Sequence, residues 1–368
     1  AAVIDLGFFG GVTAGPLLGG ALGEIGAWRP LFWALAALAL AVFVTAALTL
    51  PSKDPFNPGI RFDRQGVALA FVGTLLPFWA VAELTGKSFG SVWFIAPFVL
   101  GGLAFIALIL AEFYEKEPIS PVKPMWNTLP VVGVIIAMVG GSAYFTLFVL
   151  AQQFLVMVQH RSLLQSGLLF WPQVAGALAA SIALGFVLRT RFLTLYALAG
   201  MLCILGGGAL VVAMTDSGSI GFFLPSALLL GFGAGATVAP GLWFASLSLQ
   251  SKMVGRIFAL VELLRSEANF LLAPIMLAVA LSLGGGTVSA RGLHDAALYT
   301  LLLALALTAL GIAIFLAGAP GLQKPALDAW LKEDKPAWTS PELLAPLRGR
   351  HPEQQNRRRS GMRTQRLR

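Results

Sequence analysis

The 28 residues from Pro130 to Met157 read PVVGVIIAMVGGSAYFTLFVLAQQFLVM and contain no charged side chain. A bilayer core is about 30 Å thick, and a helix of roughly 20 apolar residues crosses it. Because backbone groups find no water partners at that depth, an apolar run of this length predicts a membrane-spanning helix. A β-barrel strand would alternate every second residue over about ten positions, and this run does not.

Nine further apolar runs flank this one, and short polar stretches separate them. The chain has 368 residues, of which 57% are apolar and 11% are charged, whereas about a quarter of a soluble domain is charged. This composition excludes a soluble enzyme and a disordered chain, and the single cysteine excludes a disulfide scaffold. We therefore predict an all-α polytopic membrane protein with about ten spans, near 3–22, 30–50, 66–84, 91–112, 130–157, 165–188, 192–214, 220–247, 255–284 and 296–318.

The orientation of the chain follows from its basic residues, because Lys and Arg accumulate in cytoplasmic loops. Alternate loops form two sets. One set holds nine Lys and Arg residues, and the other holds Arg29, Lys87, Arg161 and Arg291. With ten spans, the tail from residue 320 lies on the side of the richer set and adds eleven basic residues. We expect a cytoplasmic C-terminus and location in the plasma membrane.

A glycine stripe marks the first predicted span. Gly7, Gly11, Gly15 and Gly19 recur every four residues, so they share one helix face that a neighbouring backbone can approach closely. Pro16 removes one backbone donor and can bend the helix there. Such a groove suits a tight seal between helices that must also slide; the alternative is ordinary small-residue packing.

The same segment resembles the major facilitator superfamily, and most closely its fourteen-span drug:proton antiporter branch. In that branch the fifth helix carries an antiporter motif, followed by a W-R-x-x-F-W pattern. Downstream, the residues from Gln152 to Pro172 and the Gly231–Gly235 segment are similar to the family's ninth-to-tenth and twelfth helices. The residues that match the motif and the pattern are Gly11, Gly15, Pro16, Gly19 and Gly20, then Trp28, Arg29, Phe32 and Trp33.

The resemblance implies a major facilitator-type helical bundle that begins at the family's fifth helix, so we expect an N-terminally truncated chain. It implies the last two helices of an N-terminal bundle at 1–50, two linking helices at 51–125, a six-helix C-terminal bundle at 126–319 and a basic, disordered tail at 320–368. The implied function is proton-coupled efflux of drugs or other small amphipathic molecules. The alternatives are a transporter of one metabolite or siderophore, and a non-transporting membrane scaffold.

No catalytic or metal-binding set is visible in the sequence. The three histidines do not pair at ligand spacing, and no phosphate-binding G-x-x-x-x-G-K-[ST] loop is present. We therefore expect neither an enzyme nor a cofactor. The family resemblance implies a proton gradient as the energy source and protons, the lipid bilayer and a small molecule as partners.

Ionisable groups inside spans are costly and are functional candidates. Asp5 lies in the first span, as a proton carrier or as an interfacial carboxylate. Glu262 and Arg265 are three residues apart, so they share a helix face and can pair. We interpret them as a gating or structural ion pair near the cytoplasmic mouth; the alternative is an amphipathic lead-in that faces headgroups.

Polar and aromatic side chains in the C-terminal half are candidates for substrate contact. Gln donates and accepts hydrogen bonds without charge, and aromatic faces suit cationic ligands. The alternatives are bonds between helices for Gln and interfacial anchoring for Trp and Tyr. The basic tail is predicted to stay solvated or to contact anionic headgroups, and we expect no nucleic-acid partner. The substrate candidates are Tyr144, Gln152, Gln153, Trp171 and Gln173.

Overall fold

A computed structural model describes residues 11, 15–49, 63–115, 118–188, 190, 192–318, 330–332 and 335–343. Within these ranges the chain is helical, apart from loops and one isolated β-bridge between Asn127 and Glu342. The helices are α1, described over 15–24, then α2 (Trp28–Thr49), α3 (Arg64–Glu83), α4 (Val92–Tyr114), α5 (Val122–Met125), α6 (Thr128–Gln153), α7 (Leu163–Leu169), α8 (Trp171–Val187), α9 (Leu193–Ser217), α10 (Phe223–Leu247), α11 (Val254–Leu283) and α12 (Ala290–Gly318).

Nine helical segments in the described part of the chain are long and apolar enough to cross a membrane. They correspond to nine of the ten predicted spans, so the predicted fold class is confirmed. Most of the tenth predicted span, 3–22, lies outside the described residues. The last span differs most, because helix α12 begins at Ala290 and not near 296. Its first two turns carry Arg291, His294 and Asp295, so the helix extends beyond its apolar part.

The predicted span at 165–188 is two helices in the structure. Helix α7 ends at Leu169, and α8 begins at Trp171 with Pro172 in its first turn. Proline disfavours a helical conformation at the residue before it and provides no backbone donor, so a helix tends to end at such a site. The break turns the chain at the end of the bundle where α6 also ends.

Helices α6 and α8–α12 form one packed bundle in which α10 contacts α6, α8, α9 and α11. In lipid, helices associate mainly through close packing of small residues. At the crossing of α6 and α10, a Cβ added to Gly133 would lie 2.5 Å from the Gly241 carbonyl oxygen. The two backbones are therefore in direct contact, and neither glycine tolerates a side chain without movement.

Helices α3 and α4 form a separate hairpin that packs on α11 through α3. A Cβ on Gly101 of α4 would lie 2.3 Å from Pro77 Cδ of α3. The ring centroids of Phe78 on α3 and Phe270 on α11 are 6.4 Å apart. The hairpin falls within the predicted linking region 51–125, and the division of the chain into four regions stays a prediction.

Part of the tail lies against the bundle, which differs from the predicted disorder. The indoles of Trp330 and Trp338 are only 7% and 5% exposed. We call residues 330–332 and 335–343 the strap, and the end of the bundle that they contact the tail end. The Trp338 amide donates to the Leu247 carbonyl at 3.0 Å, and Trp330 Nε1 donates to the Leu249 carbonyl at 2.9 Å.

The strap also caps the first turn of α6. The Thr128 amide donates to the Pro341 carbonyl at 3.0 Å, and the Leu129 amide donates to Ser340 Oγ at 2.9 Å. Asn127, the N-cap residue, makes no side-chain capping bond. Because the first four amides of a helix have no partner within the helix, the strap supplies acceptors that α6 itself lacks.

We predict that Trp338→Ala lowers the stability of the bundle. Truncation of a fully buried Trp typically costs about 3–5 kcal/mol of unfolding free energy, and here it also removes packing beneath Phe244, whose ring centroid is 5.6 Å away. Thermal unfolding in detergent should show a lower Tm for this variant. Trp126→Ala is the matched control, because Trp126 is 53% exposed; equal Tm values for the two variants would contradict the docking of the strap.

Candidate functional site

The glycine motif of α1 lies against the segment that begins α7. A Cβ on Gly20 would lie 2.5 Å from the Leu163 carbonyl oxygen, and a Cβ on Gly167 would lie 2.4 Å from the Pro16 carbonyl oxygen. Within the part of the chain that the structure describes, Gly11, Gly15 and Gly19 have nothing within 4 Å of such a Cβ. Of the motif residues, Pro16 and Gly20 therefore contact the start of α7, while the other three glycines contact none of the described helices.

A carboxylate that the sequence analysis missed lies at this contact. Glu24 Oε2 accepts bonds from Ser162 Oγ and from the Leu164 amide, both at 3.3 Å. Ser162 and Gln165 also form a capping box at the start of α7. Glu24 thus adds an acceptor for the otherwise unpaired amides of a helix start. The capping-box pattern was a signal for the helix start, but nothing in the sequence linked it to Glu24.

Arg29, the remaining residue of the predicted gating set, is exposed near the start of α2. Asp5, a predicted proton carrier, lies outside the described residues. The gating role of the set and the role of Asp5 stay predictions.

A second group of candidate residues, the predicted ion pair, lies on α11. Arg265 is only 5% exposed and forms a bidentate ion pair with Glu262, in which Nε donates to Oε2 at 2.8 Å and Nη2 donates to Oε1. At 1.5 Å of rise per residue, Arg265 lies about 17 Å along the helix from Val254. A buried ion pair at such a depth is costly unless its geometry is good and its remaining donors are satisfied.

A glycine of α6 makes room for the arginine. A Cβ added to Gly141 would lie 2.9 Å from Arg265 Cγ, so the aliphatic part of the side chain packs directly on the α6 backbone. The Glu262 side chain is 43% exposed. The pair therefore joins a buried cation to a carboxylate that remains accessible.

Two more polar residues follow on the same helix. Glu267 is 8% exposed and lies near Thr74 of α3. Asn269 is also 8% exposed, and its Oδ1 has no hydrogen-bond partner among the described residues. We call Glu262, Arg265, Glu267 and Asn269 the α11 polar cluster. Asn269 was missed, although an amide inside an apolar span was a usable signal.

Tyr144 and Gln173, two predicted substrate contacts, come together between α6 and α8. Gln173 Nε2 donates to the Tyr144 hydroxyl, and the two residues are 1% and 5% exposed, respectively. The phenol and the amide satisfy each other, as buried polar groups generally must. The pair therefore links the two helices through their side chains.

The other three substrate candidates are placed differently. Gln152 and Gln153 are half-buried at the end of α6, where the helix continues as a π-helical turn at Phe154–Val158. Such turns occur often at functional sites. Trp171 is 62% exposed at the first residue of α8 and does not join Gln173. The structure thus brings together two of the five candidates.

Comparisons with known proteins decide the family. The sequence profile of the Major Facilitator Superfamily matches residues 1–274. The chain belongs to this superfamily. It is a membrane transporter family, so the chain is an integral membrane protein and not an enzyme, as predicted.

Three relatives illustrate the range of the family. A multidrug resistance protein B homolog of Mycobacterium tuberculosis is 26% identical over 65% of this chain and 45% of its own length. An uncharacterized MFS-type transporter of Bacillus subtilis is 28% identical over 66% and 48%. Citrate exporter 1 of Yarrowia lipolytica is 33% identical over 31% and 18%. The chain spans about half the length of the first two relatives.

We predict that the α1–α7 contact depends on Gly167. Cysteines placed at Glu24 and Ser162, in a Cys203→Ser background, should form a disulfide readily under mild oxidation. Gly167→Val should reduce the yield, because its side chain would displace the Pro16 carbonyl. Gly15→Val is the control, since that position is open. A similar yield in both valine variants, measured by non-reducing electrophoresis and mass spectrometry, would contradict the close contact.

Proposed function

We propose that this chain forms part of a proton-coupled exporter of drugs or other small amphipathic molecules. The observation that carries the proposal is Arg265, a cation buried within a membrane span and paired with an accessible carboxylate. Charged residues within spans mark ion or substrate pathways. The multidrug resistance name of a relative at 26% identity supports this substrate class.

The ion pair offers a way to link proton binding to movement. Proton binding at Glu262 would neutralise one charged partner of the buried Arg265 guanidinium. Loss of this ion pair would change the relative stability of alternative arrangements of α11 against α6, because the guanidinium itself is buried. In secondary transporters such a change alternates access to a site near the bilayer midplane. Asp5 remains a second proton candidate.

Substrate contact is proposed for Tyr144 and Gln173, with Gln152 and Gln153 at the end of the same helix. A polar pair between α6 and α8 could exchange its mutual bond for bonds to a ligand when these helices separate. The aromatic face next to an uncharged donor and acceptor suits amphipathic molecules. The Trp171 side chain, by its exposure, is better suited to a place at the lipid surface.

The orientation is also part of the proposal. The nine-to-four distribution of basic loop residues and the basic tail favour a cytoplasmic tail end in the plasma membrane. Residues 348–368 include eight arginines, which could contact anionic headgroups of the inner leaflet.

Export of a single metabolite is the second candidate. The observation in its favour is the 33% identity to a protein named citrate exporter over 121 residues. That match covers 31% of this chain, whereas the match to the multidrug resistance homolog covers 65%. A carboxylate substrate would need a cation in the pathway, and Arg265 would then bind the substrate directly.

We predict that Arg265→Gln in the full-length gene product abolishes transport. Loss of the cation leaves Glu262 without its partner, and a barrier higher by about 1.4 kcal/mol already slows a step tenfold. Ethidium efflux from efflux-deficient bacteria, with and without a protonophore, measures both rate and proton coupling.

Arg256→Gln is the matched control, because Arg256 is exposed on the same helix. Unchanged efflux by Arg265→Gln at wild-type expression would contradict the role of the pair. Absence of efflux for a panel of amphipathic cations, together with export of one carboxylate, would favour the second candidate.

We further predict that Tyr144→Phe and Gln173→Leu alter KM unequally for different drugs. Each single variant leaves a buried polar group unpaired, at a cost of about 1–3 kcal/mol, while the double variant should lose less than the sum. Trp171→Phe should leave all KM values unchanged. Equal effects on every substrate would indicate a purely structural bond between the two helices.

A further inference from the structure

A cavity of about 260 Å³ opens at the tail end between α6, α9, α10 and α12. Its inner wall includes Val132, Met201 and Phe244, which are at most 4% exposed. Its mouth includes Leu195 of α9 and Leu316 of α12, which are 60% and 62% exposed. We call this cavity the α9–α12 groove. It reaches from the outer surface of the bundle into its core.

The groove is almost devoid of polar groups. Only Thr194 and Thr308 contribute hydroxyls, and the Thr308 hydroxyl already donates to the Ala304 carbonyl at 2.6 Å. Pockets for drug-sized molecules usually measure 300–1,000 Å³ and contain a few placed polar groups. The α9–α12 groove is smaller, and the buried hydroxyl in its interior, that of Thr308, is already bonded within its own helix. The groove therefore fits a hydrocarbon chain better than a drug.

The mouth is continuous with the surface that faces lipid. Leu202 on α9 and Leu305 on α12 are 57% and 50% exposed further along the same helices. The α9–α12 groove is too apolar to hold water. If it stayed empty, the side chains along its walls would lose dispersion contacts. An acyl chain of a neighbouring lipid is the apolar occupant that can enter sideways.

The polar end of the occupant follows from the depth of the mouth. Thr194 is the second residue of α9, and Leu316 is two residues from the end of α12. Helix ends lie near the headgroups when a span of about 20 residues crosses the bilayer core. The sequence just before α9 is basic, RTRF at 189–192, and this charge complements a phosphate-bearing headgroup.

We propose that the α9–α12 groove binds one acyl chain of a phospholipid from the leaflet on the tail side. The strap covers Phe244, which lines the inner wall of the groove, because Trp338 packs against that ring at a tilt of 41° with a centroid distance of 5.6 Å. The acyl chain therefore enters the groove from the bilayer and not from the aqueous side. Bound lipid then completes the packing of α6 against α9 and α12.

Photo-crosslinking tests the proposal directly. The full-length gene product is placed in nanodiscs that contain a phosphatidylglycerol with a diazirine near the end of one acyl chain. After irradiation, labelled peptides are located by mass spectrometry. We expect labels to concentrate on Leu195, Leu198, Ile312 and Leu316, with far fewer on the equally exposed outer faces of α2 and α4.

Gly311→Leu should reduce the labelling of these positions several-fold. Gly311 lines the groove, and a Cβ there already lies 3.3 Å from Ile135 Cγ2, so a larger side chain must extend into the space. Gly102→Leu is the matched control on α4, where a Cβ meets nothing within 4 Å. Leu316→Trp narrows the mouth from an exposed position and serves as the second variant if Gly311→Leu fails to fold.

Two kinds of result would overturn the binding of an acyl chain in the groove. Labels spread evenly over all lipid-facing helices, or labelling that neither Gly311→Leu nor Leu316→Trp reduces, would overturn the proposal. Loss of labelling on addition of saturating ethidium would identify the groove as a substrate pocket and overturn the assignment to lipid. Neither result depends on transport activity.

Discussion

Every backbone amide and carbonyl of this chain needs a partner at membrane depth, and the rest of the structure depends on this constraint. A helix provides hydrogen-bond partners for the backbone groups of its interior, but it leaves four amides and four carbonyls without partners at its ends. The strap and Glu24 both act at such ends. Proline at 341 and serine at 340 accept bonds from the first amides of α6, while Trp338 donates to Leu247 at the end of α10.

The same constraint explains the behaviour of side chains inside the bundle. The hydroxyls of Ser142, Thr300 and Thr308 each donate to the carbonyl four residues earlier in their own helix. Thr146 Oγ1 and Asn269 Oδ1 find no such partner among the described residues. They lie on α6 and α11, the helices that meet at Gly141 and Arg265. Two further buried polar atoms without a partner among the described residues, Ser166 Oγ and Trp338 Nε1, lie on α7 and on the strap.

Local patterns in the sequence predicted the fold well. Apolar runs located nine spans to within a few residues at most ends, because hydropathy and helix length are properties of one segment at a time. The proximity of Glu262 and Arg265 could also be predicted from the sequence, since a spacing of three residues places them on one helix face. The break at Phe170 was not predicted, although Pro172 was a local signal for it.

Contacts between distant segments could not be read in this way. Gln173 bonds Tyr144 across 29 residues, and Glu24 reaches Ser162 across 138. No periodicity or spacing relates such pairs, because their proximity results from the packing of whole helices. The glycine motif is a further example. Its four-residue spacing predicted a contact face that includes Gly15 and Gly19, whereas in the structure the close contact is made by Gly20, which lies outside that stripe.

The strap shows why composition alone misjudged the tail. Averaged over 320–368, charge and proline suggest a solvated chain, yet two indoles within that stretch can be buried only against an apolar surface. Aromatic residues carry large apolar area together with a polar N–H, and Trp330 uses both when it packs and donates to Leu249. A few such residues outweigh the average. A charged segment can therefore dock where helix ends offer free carbonyls and where its indoles pack on an apolar ring such as that of Phe244.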